Sequence, residues 1–237
     1  IVAADVDGGS TDNCAMQSLS VSQTNFGCGD VGSNTVTLTG TDVNGNVATC
    51  TATVIVEDNV APTATCKSIT LQLDASGNAS ITPADVDNGS NDACGIASLS
   101  LSKTTFDCSN VGANTVTLTV TDNNGNVSTC TATVTVEDNV APVALCQAVT
   151  VQLDANGNGS ITPAAVDNGS NDACGIASLS LSKTSFDCSN VGANTVTLTV
   201  TDNNGNVSTC TDIGRASCRE RESWGGVVGG GGGGGVG

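Results

Sequence analysis

Two side-chain types carry whatever chemistry this 237-residue chain can do: 12 cysteines and 23 acidic residues, set against 6 basic residues and no histidine or tyrosine. Without histidine no Ser-His-Asp or Cys-His arrangement can be built, and the usual proton shuttle near neutral pH is missing. Paired carboxylates could serve general acid–base chemistry or glycoside hydrolysis. Here every pair lies in a turn-like stretch, with no aromatic platform for a sugar. The reading is therefore a non-enzyme. Cysteines and carboxylates can still cross-link the chain and bind a hard cation.

The cysteines recur at a fixed interval. Cys66, Cys94, Cys108 and Cys130 return 80 residues later as Cys146, Cys174, Cys188 and Cys210, and counting back by 80 finds Cys14, Cys28 and Cys50. A period of this size means a string of small domains. The phrase Glu57-Asp58-Asn59-Val60-Ala61-Pro62 closes one copy and returns as Glu137-Asp138-Asn139-Val140-Ala141-Pro142. Between 59–130 and 139–210 there are ten differences in 72 positions, so identity between copies is weak evidence that any one residue matters. The expected division is a partial repeat at 1–58 (its C-terminal part), a complete repeat at 59–138, and a repeat lacking its last strand at 139–211. After Thr211 the pattern breaks. The string from Ile213 to Arg221 resembles the conceptual translation of a sequencing adapter, and glycines follow from Gly229 to Gly235. Residues 212–237 are read as a disordered tail of that origin and left out of the fold.

The net charge of −17 belongs to 1–211, where 20 acids (23 less Asp212, Glu220 and Glu222) face only Lys67, Lys103 and Lys183. Phosphate binding needs clustered Lys or Arg, so nucleic acid is not an expected partner. No run of 18 apolar residues exists, so no membrane insertion is expected within this chain. The cysteine spacings of 28, 14 and 22 lack the short pairs of zinc sites. Structural disulfides are the better reading and place the chain outside a reducing cytosol, extracellular or at a cell surface.

Strand periodicity sets the fold class. In Thr115-Val116-Thr117-Leu118-Thr119-Val120-Thr121 the apolar residues share one face and the threonines the other. Asp122-Asn123-Asn124-Gly125-Asn126 turns the chain, and Cys130, Ala132, Val134 and Val136 share a face of the next strand. Ile69 to Leu73, Ala79 to Thr82, Ile96 to Ser102 and Thr104 to Cys108 give further short strands. The class is all-β: tandem immunoglobulin-like antiparallel β-sandwich repeats of about 80 residues. Cys66 has the opposite parity to Ile69, so a kink must separate them if both face the core. Four cysteines allow three pairings. The preferred one is Cys66–Cys130 with Cys94–Cys108, repeated as Cys146–Cys210 and Cys174–Cys188, with Cys14–Cys28 in the first repeat.

Val136-Glu137-Asp138 with Pro142, a cysteine soon after, Asp172-Ala173-Cys174-Gly175, and Asp122-x-x-Gly125-Asn126 leading to Cys130 together resemble the hyalin-repeat (HYR-like) module. Tandem arrays rich in Thr and Asp also resemble bacterial immunoglobulin-like repeats of extracellular surface adhesins. The resemblance implies an adhesive or structural stalk, with an unidentified protein or glycan as surface ligand, or none. The Glu-Asp-Asn…Pro joint resembles the calcium linkers of cadherins. Glu57, Asp58 and Asn59 would then share Ca2+ with Asp87, Asp92 and Asp122. Glu137, Asp138 and Asn139 would do so with Asp167, Asp172 and Asp202. Hard oxygen donors from three segments suit Ca2+, which takes six to eight. The alternative is that these acids cap their own turns or are solvated. Two other functions stay open: an accessory region of a larger secreted enzyme, and an ice-binding face built on the rows Thr115–Thr121 and Thr131–Thr135. Sequons at Asn78, Asn88 and Asn126 matter only in a eukaryotic secretory pathway.

Overall fold

A computed structural model describes residues 1–218. The first repeat contributes a one-turn helix α1 (Ala3–Val6) and strands β1 (Met16–Val21), β2 (Gly32–Asp42) and β3 (Val47–Val56), which form one sheet in the order β1-β2-β3. The second contributes β4 (Ile69–Gln72), β5 (Asn78–Ser80), a one-turn helix α2 (Pro83–Val86), β6 (Ile96–Leu101), β7 (Thr105–Asp107), β8 (Gly112–Asp122) and β9 (Val127–Glu137). The third repeats that order as β10 (Thr150–Leu153), β11 (Gly159–Ser160), α3 (Pro163–Val166), β12 (Ile176–Leu181), β13 (Ser185–Phe186), β14 (Gly192–Asp202) and β15 (Val207–Cys218).

In the third repeat the main sheet runs β10-β15-β14-β12 and a two-stranded sheet pairs β11 with β13. Apart from β10, which runs parallel to β15, all these pairs are antiparallel. A first strand beside the last, followed by the penultimate and a middle strand, is the order of an immunoglobulin-like sandwich. The second repeat has the same order, β4-β9-β8-β6 with β5-β7. The array is thus all-β and built of tandem immunoglobulin-like repeats.

Alternation decides what is buried. Along β8, Val116, Leu118 and Val120 are buried, and along β9 so are Ala132, Val134 and Val136. The threonines between them are half-buried or exposed, and their β-branches suit the pleat. In the third repeat Val151, Leu153, Ile161, Val166, Phe186, Val196, Leu198, Val200 and Ala216 form the core. The sole aromatic ring of each of these two cores carries a lysine over its face: Lys103 Nζ lies 4.9 Å from the centre of Phe106, and Lys183 Nζ the same distance from Phe186.

The first strand of the repeat divides its pairing. Around Cys66 the chain bridges to Asp87, and Lys67 N donates to Val86 O at 2.8 Å. From Ile69 it joins the sheet of β9 instead. Pro83 and Pro163 open the single helical turns after β5 and β11, where a missing N–H costs nothing.

By contact density the described chain divides into two compact units. One is 1–71 with 80–106 and 112–136; the other is 72–79 with 107–111 and 137 onward. Each Val-Ala-Pro joint therefore lies inside a unit.

Two sequence expectations are corrected here. The third repeat does not lack its last strand: β15 continues through Thr211 to Cys218, pairing β14 from Thr201↔Val207 to Gly192↔Ala216 and β10 from Thr150↔Arg215 to Leu153↔Cys218. Strand pairing uses backbone groups that any residue but proline supplies. At the inward positions Gly214 and Ala216 are small enough to fit, and Ala216 is 3% exposed. The tail expectation for 219–237 lies outside the described residues. The second correction concerns the cysteines. The disulfides are Cys28–Cys94, Cys66–Cys130, Cys108–Cys174 and Cys146–Cys210. The pairs Cys94–Cys108, Cys174–Cys188 and Cys14–Cys28 do not form.

The third repeat shows why. Cys174 is held at the Asp202 end of β14, where its carbonyl accepts from Asn203 Nδ2 at 2.8 Å. Cys188 lies in the turn Cys188–Asn190, just ahead of Gly192 at the other end. A strand of 11 residues spans roughly 35 Å at its usual rise, whereas bonded cysteines need Cα atoms roughly 4.4–6.8 Å apart. Cys174 instead reaches Cys108, and Cys94 reaches Cys28, in the preceding repeat, each over a sequence separation of 66. Cys14 and Cys50 are exposed free thiols, and Cys188 Sγ lies 3.9 Å from Gly157 O.

Candidate functional site

The inward face of β9 does not stop at Val136. Parity carries it one step further, to Asp138, which is 6% exposed. The same alternation places Asp58 at the end of the first repeat, whereas Glu57 and Glu137 fall on the opposite parity. Asp138 Oδ1 accepts from Val140 N at 3.1 Å, but its Oδ2 is buried without a hydrogen-bond partner. Asp58 repeats this: Oδ1 accepts from Val60 N at 3.1 Å and Oδ2 is orphaned. A buried carboxylate oxygen left unmatched costs on the order of 1–3 kcal/mol or more.

Each orphan has company. Ligand atoms of Asp138, Asp172 and Cys174 lie within 4.8 Å of one another, as do those of Asp58, Asp92 and Cys94. The sulfurs are already bonded, to Cys108 and to Cys28, so they are not thiolate ligands. Two carboxylates remain per joint. Asp92 and Asp172 are held in place by accepting from Cys94 N at 2.7 Å and Cys174 N at 2.8 Å.

An asparagine fixes the joint backbone beside them. Asn126 Nδ2 donates to Asp58 O at 2.9 Å and to Asp122 Oδ2 at 2.8 Å. Asn206 Nδ2 does the same to Asp138 O at 3.0 Å and Asp202 Oδ2 at 2.8 Å. Thr63 and Asn91 exchange backbone hydrogen bonds at 2.8 and 3.0 Å, and Val143 and Asn171 do likewise. Sequence reasoning missed the role of these asparagines, although the spacing Asp122…Asn126 and Asp202…Asn206 carried the signal. It also makes the Asn126 sequon unsuitable for a glycan, because its amide is committed twice.

The other sequence candidates are used elsewhere. Asp122, 1% exposed, accepts from Asn124 N and Asn126 N at 2.8 Å, closing the turn that Gly125 completes at φ +94°. Asp202 does the same for Asn204 and Asn206. Asp87 and Asp167 cap turns by accepting from Ser90 N and Ser170 N at 3.0 Å. Glu57 Oε2 accepts from Asn59 Nδ2 at 3.2 Å. Glu137 Oε2 accepts from Gln72 Nε2 at 2.7 Å, and Asn139 Nδ2 donates to Gln72 Oε1 at 2.7 Å. The structure thus gathers Asp58 with Asp92, and Asp138 with Asp172. Asp87 and Asp122 accept hydrogen bonds within their own turns, and the carboxylate gathered with Asp58 is that of Asp92.

No family model matches the sequence, and no curated protein matches it. Solved structures do. Cadherin domains 1–4 of protocadherin gamma B7 are 14% identical over 81% of this chain and 59% of theirs, with a TM-score of 0.35. A cis-dimer structure of protocadherin gammaB7 is 18% identical over 81% and 59%, with a TM-score of 0.37. An I-band fragment of titin is 10% identical over 79% and 75%, with a TM-score of 0.35. The chain spans about three fifths of the length of those two protocadherin fragments. No helix among the described residues is long and apolar enough to cross a membrane.

The turn aspartates make stability pH-dependent. In Asp122 and Asp202 burial pushes the carboxyl up, but hydrogen bonds from the Asn126 or Asn206 side chain and from the turn N–H groups outweigh it and hold each below the ordinary value. Asp42 is lowered likewise, first by the Asn46 side chain and then by Asn46 N. A carboxyl more acidic folded than unfolded stabilises fully above its unfolded pKa of about 3.9 and loses that contribution as pH falls through the folded value. Thermal melts should therefore hold steady near neutrality and drop as pH falls below about 4. The Asp122→Asn, Asp202→Asn double variant should melt lower at pH 7 and show a shallower acid slope. An unchanged slope would count against this account.

Proposed function

We propose that this chain is a non-catalytic, disulfide-stapled length of an extracellular or cell-surface stalk of the hyalin-repeat-like kind, and that its joints hold Ca2+. The observation that carries the metal reading is the buried, unpartnered Asp138 Oδ2 with the Asp172 carboxylate within 4.8 Å, duplicated at Asp58 and Asp92. Two carboxylates close together with few cations nearby repel each other, and a divalent ion removes that repulsion while satisfying the orphan oxygen. They supply at most four of the six to eight oxygens Ca2+ takes, so carbonyls or water complete the set. The donor set fits a hard cation and not a thiolate-seeking one. Four disulfides support an oxidising compartment. A stalk of this kind presents or spaces an adhesive element, its ligand a surface protein or glycan.

Calorimetry tests the metal. Extracellular Ca2+ modules bind at roughly 0.1–1 mM. At one to ten times the dissociation constant the ion adds about 0.4–1.4 kcal/mol per site. The melting temperature should rise by several degrees in millimolar Ca2+, and Asp58→Asn with Asp138→Asn should abolish the rise. No heat of binding and no shift at that concentration would remove Ca2+ and leave a plain stapled stalk.

A further inference from the structure

We propose that the disulfides between repeats give each joint a second covalent connection, so that the array stays one molecule after its backbone is cut at a joint. The four bonds close loops from 28 to 94, 66 to 130, 108 to 174 and 146 to 210. Each loop overlaps the next. Every peptide bond between Cys28 and Cys210 therefore lies inside at least one closed loop, and no single cut there can divide the chain. The joints are where this matters. Val60-Ala61-Pro62 falls outside the 66–130 loop and inside only the 28–94 loop. Val140-Ala141-Pro142 falls between 130 and 146, inside only the 108–174 loop. With bonds confined to single repeats, a cut at either joint would release everything beyond it.

Two observations bear on this second connection: it spans a segment with exposed side chains, and it is built in by packing. Side chains at the joints reach solvent, Val60 being 68% exposed and Val143 54%, and exposed connecting segments are where proteases act. Close approach at Gly77 seats the bond of the second joint. A Cβ there would meet Cys108 Sγ at 2.6 Å and Ala173 Cβ at 3.2 Å, and its φ is +73°. Only glycine lets the turn 74–78 come this near Cys108 and the Asp172-Ala173-Cys174 loop. An extracellular array with this connectivity keeps its full set of repeats through a nick, and loses them only when the nick is followed by reduction.

The chain carries its own cleavage sites. Glu57 and Glu137 are the only glutamates in residues 1–218, and each lies at a joint. The full chain is treated with iodoacetamide, so that Cys14 and Cys50 cannot reshuffle bonds, and digested with a glutamate-specific protease until the reduced sample shows complete cutting at both positions. Without reductant 1–57, 58–137 and 138–220 should run as one species; with reductant they should separate, while the short pieces cut off after Glu220 and Glu222 are released in either condition. Separation without reductant overturns the proposal. Cys174→Ser, alkylated in the same way, should release the piece beyond Glu137 with no reductant. Should that variant misfold, mass mapping of the unreduced parent chain decides: a linked peptide pair holding Cys108 and Cys174 supports the proposal, and a Cys94–Cys108 or Cys174–Cys188 pair overturns it.

Discussion

Leu118→Ala should lower the unfolding free energy by about 3–5 kcal/mol, with Leu198→Ala matching it in the other unit. Leu118 is 0% exposed. It sits mid-sheet, facing Leu101 across one strand pair and Cys130 across the other. Removing its side chain loses the transfer energy of the buried methyl groups and leaves a cavity whose walls are tied by disulfides and cannot readily collapse. The core is thin and aliphatic, with one ring per complete repeat, so no large neighbour can swing in to fill the space. Urea unfolding measures the loss. Thr131→Ser, on the exposed face of β9, is the comparison and should move stability by less than about 0.5 kcal/mol. A loss below about 1 kcal/mol at Leu118 would mean that the strand pairing assigned here does not form the core.

Full reduction should have the second large effect, unfolding the chain at 37 °C. Each bond closes a loop of 64 or 66 residues, and in the chain-entropy account such a loop stabilises by about 4 kcal/mol. The loops overlap, so their contributions do not simply add. Even so, the loss of two is of the order of a small domain's whole stability. Circular dichroism with and without reductant, with thiols counted to confirm reduction, provides the measurement. Intact strand signal and an unchanged melting temperature after complete reduction would show that packing alone suffices. Cys66→Ser with Cys130→Ser should cost more than Cys28→Ser with Cys94→Ser, because the first pair ties β9 to the first strand of a complete repeat.

Strand parity made most of the fold legible in sequence. Val116, Leu118 and Val120 on one strand and Ala132, Val134 and Val136 on the next identify two buried faces without reference to anything distant. The same parity continues to Asp138, so the orphaned carboxylate was within reach of sequence reasoning, while Glu137 beside it could have been set aside. Other features depend on distance between parts that sequence does not order. Cys94 and Cys108 are only 14 residues apart, which invites a local bond. That inference treats each repeat as closed on itself, and it fails because a full-length strand lies between such cysteines. The last strand of the third repeat was hidden for a different reason: β15 forms through backbone bonds, and its side chains from Asp212 onward bear no likeness to those of β9. The acidity of Asp87 and Asp122 is visible in sequence, and the turn N–H groups that bond them are not.

The connectivity also sets a timetable for making the protein. When Cys108 leaves the ribosome or the export channel, its partner is still 66 residues away in synthesis, and Cys94 and Cys130 are already near it in sequence or soon to follow. Each repeat must therefore hold one thiol in reserve until its successor arrives. A wrong bond made in that interval would have to be reopened by exchange with another thiol. Maturation is thus directional, each repeat completed by the one that follows, and thiol exchange matters to it as much as oxidation.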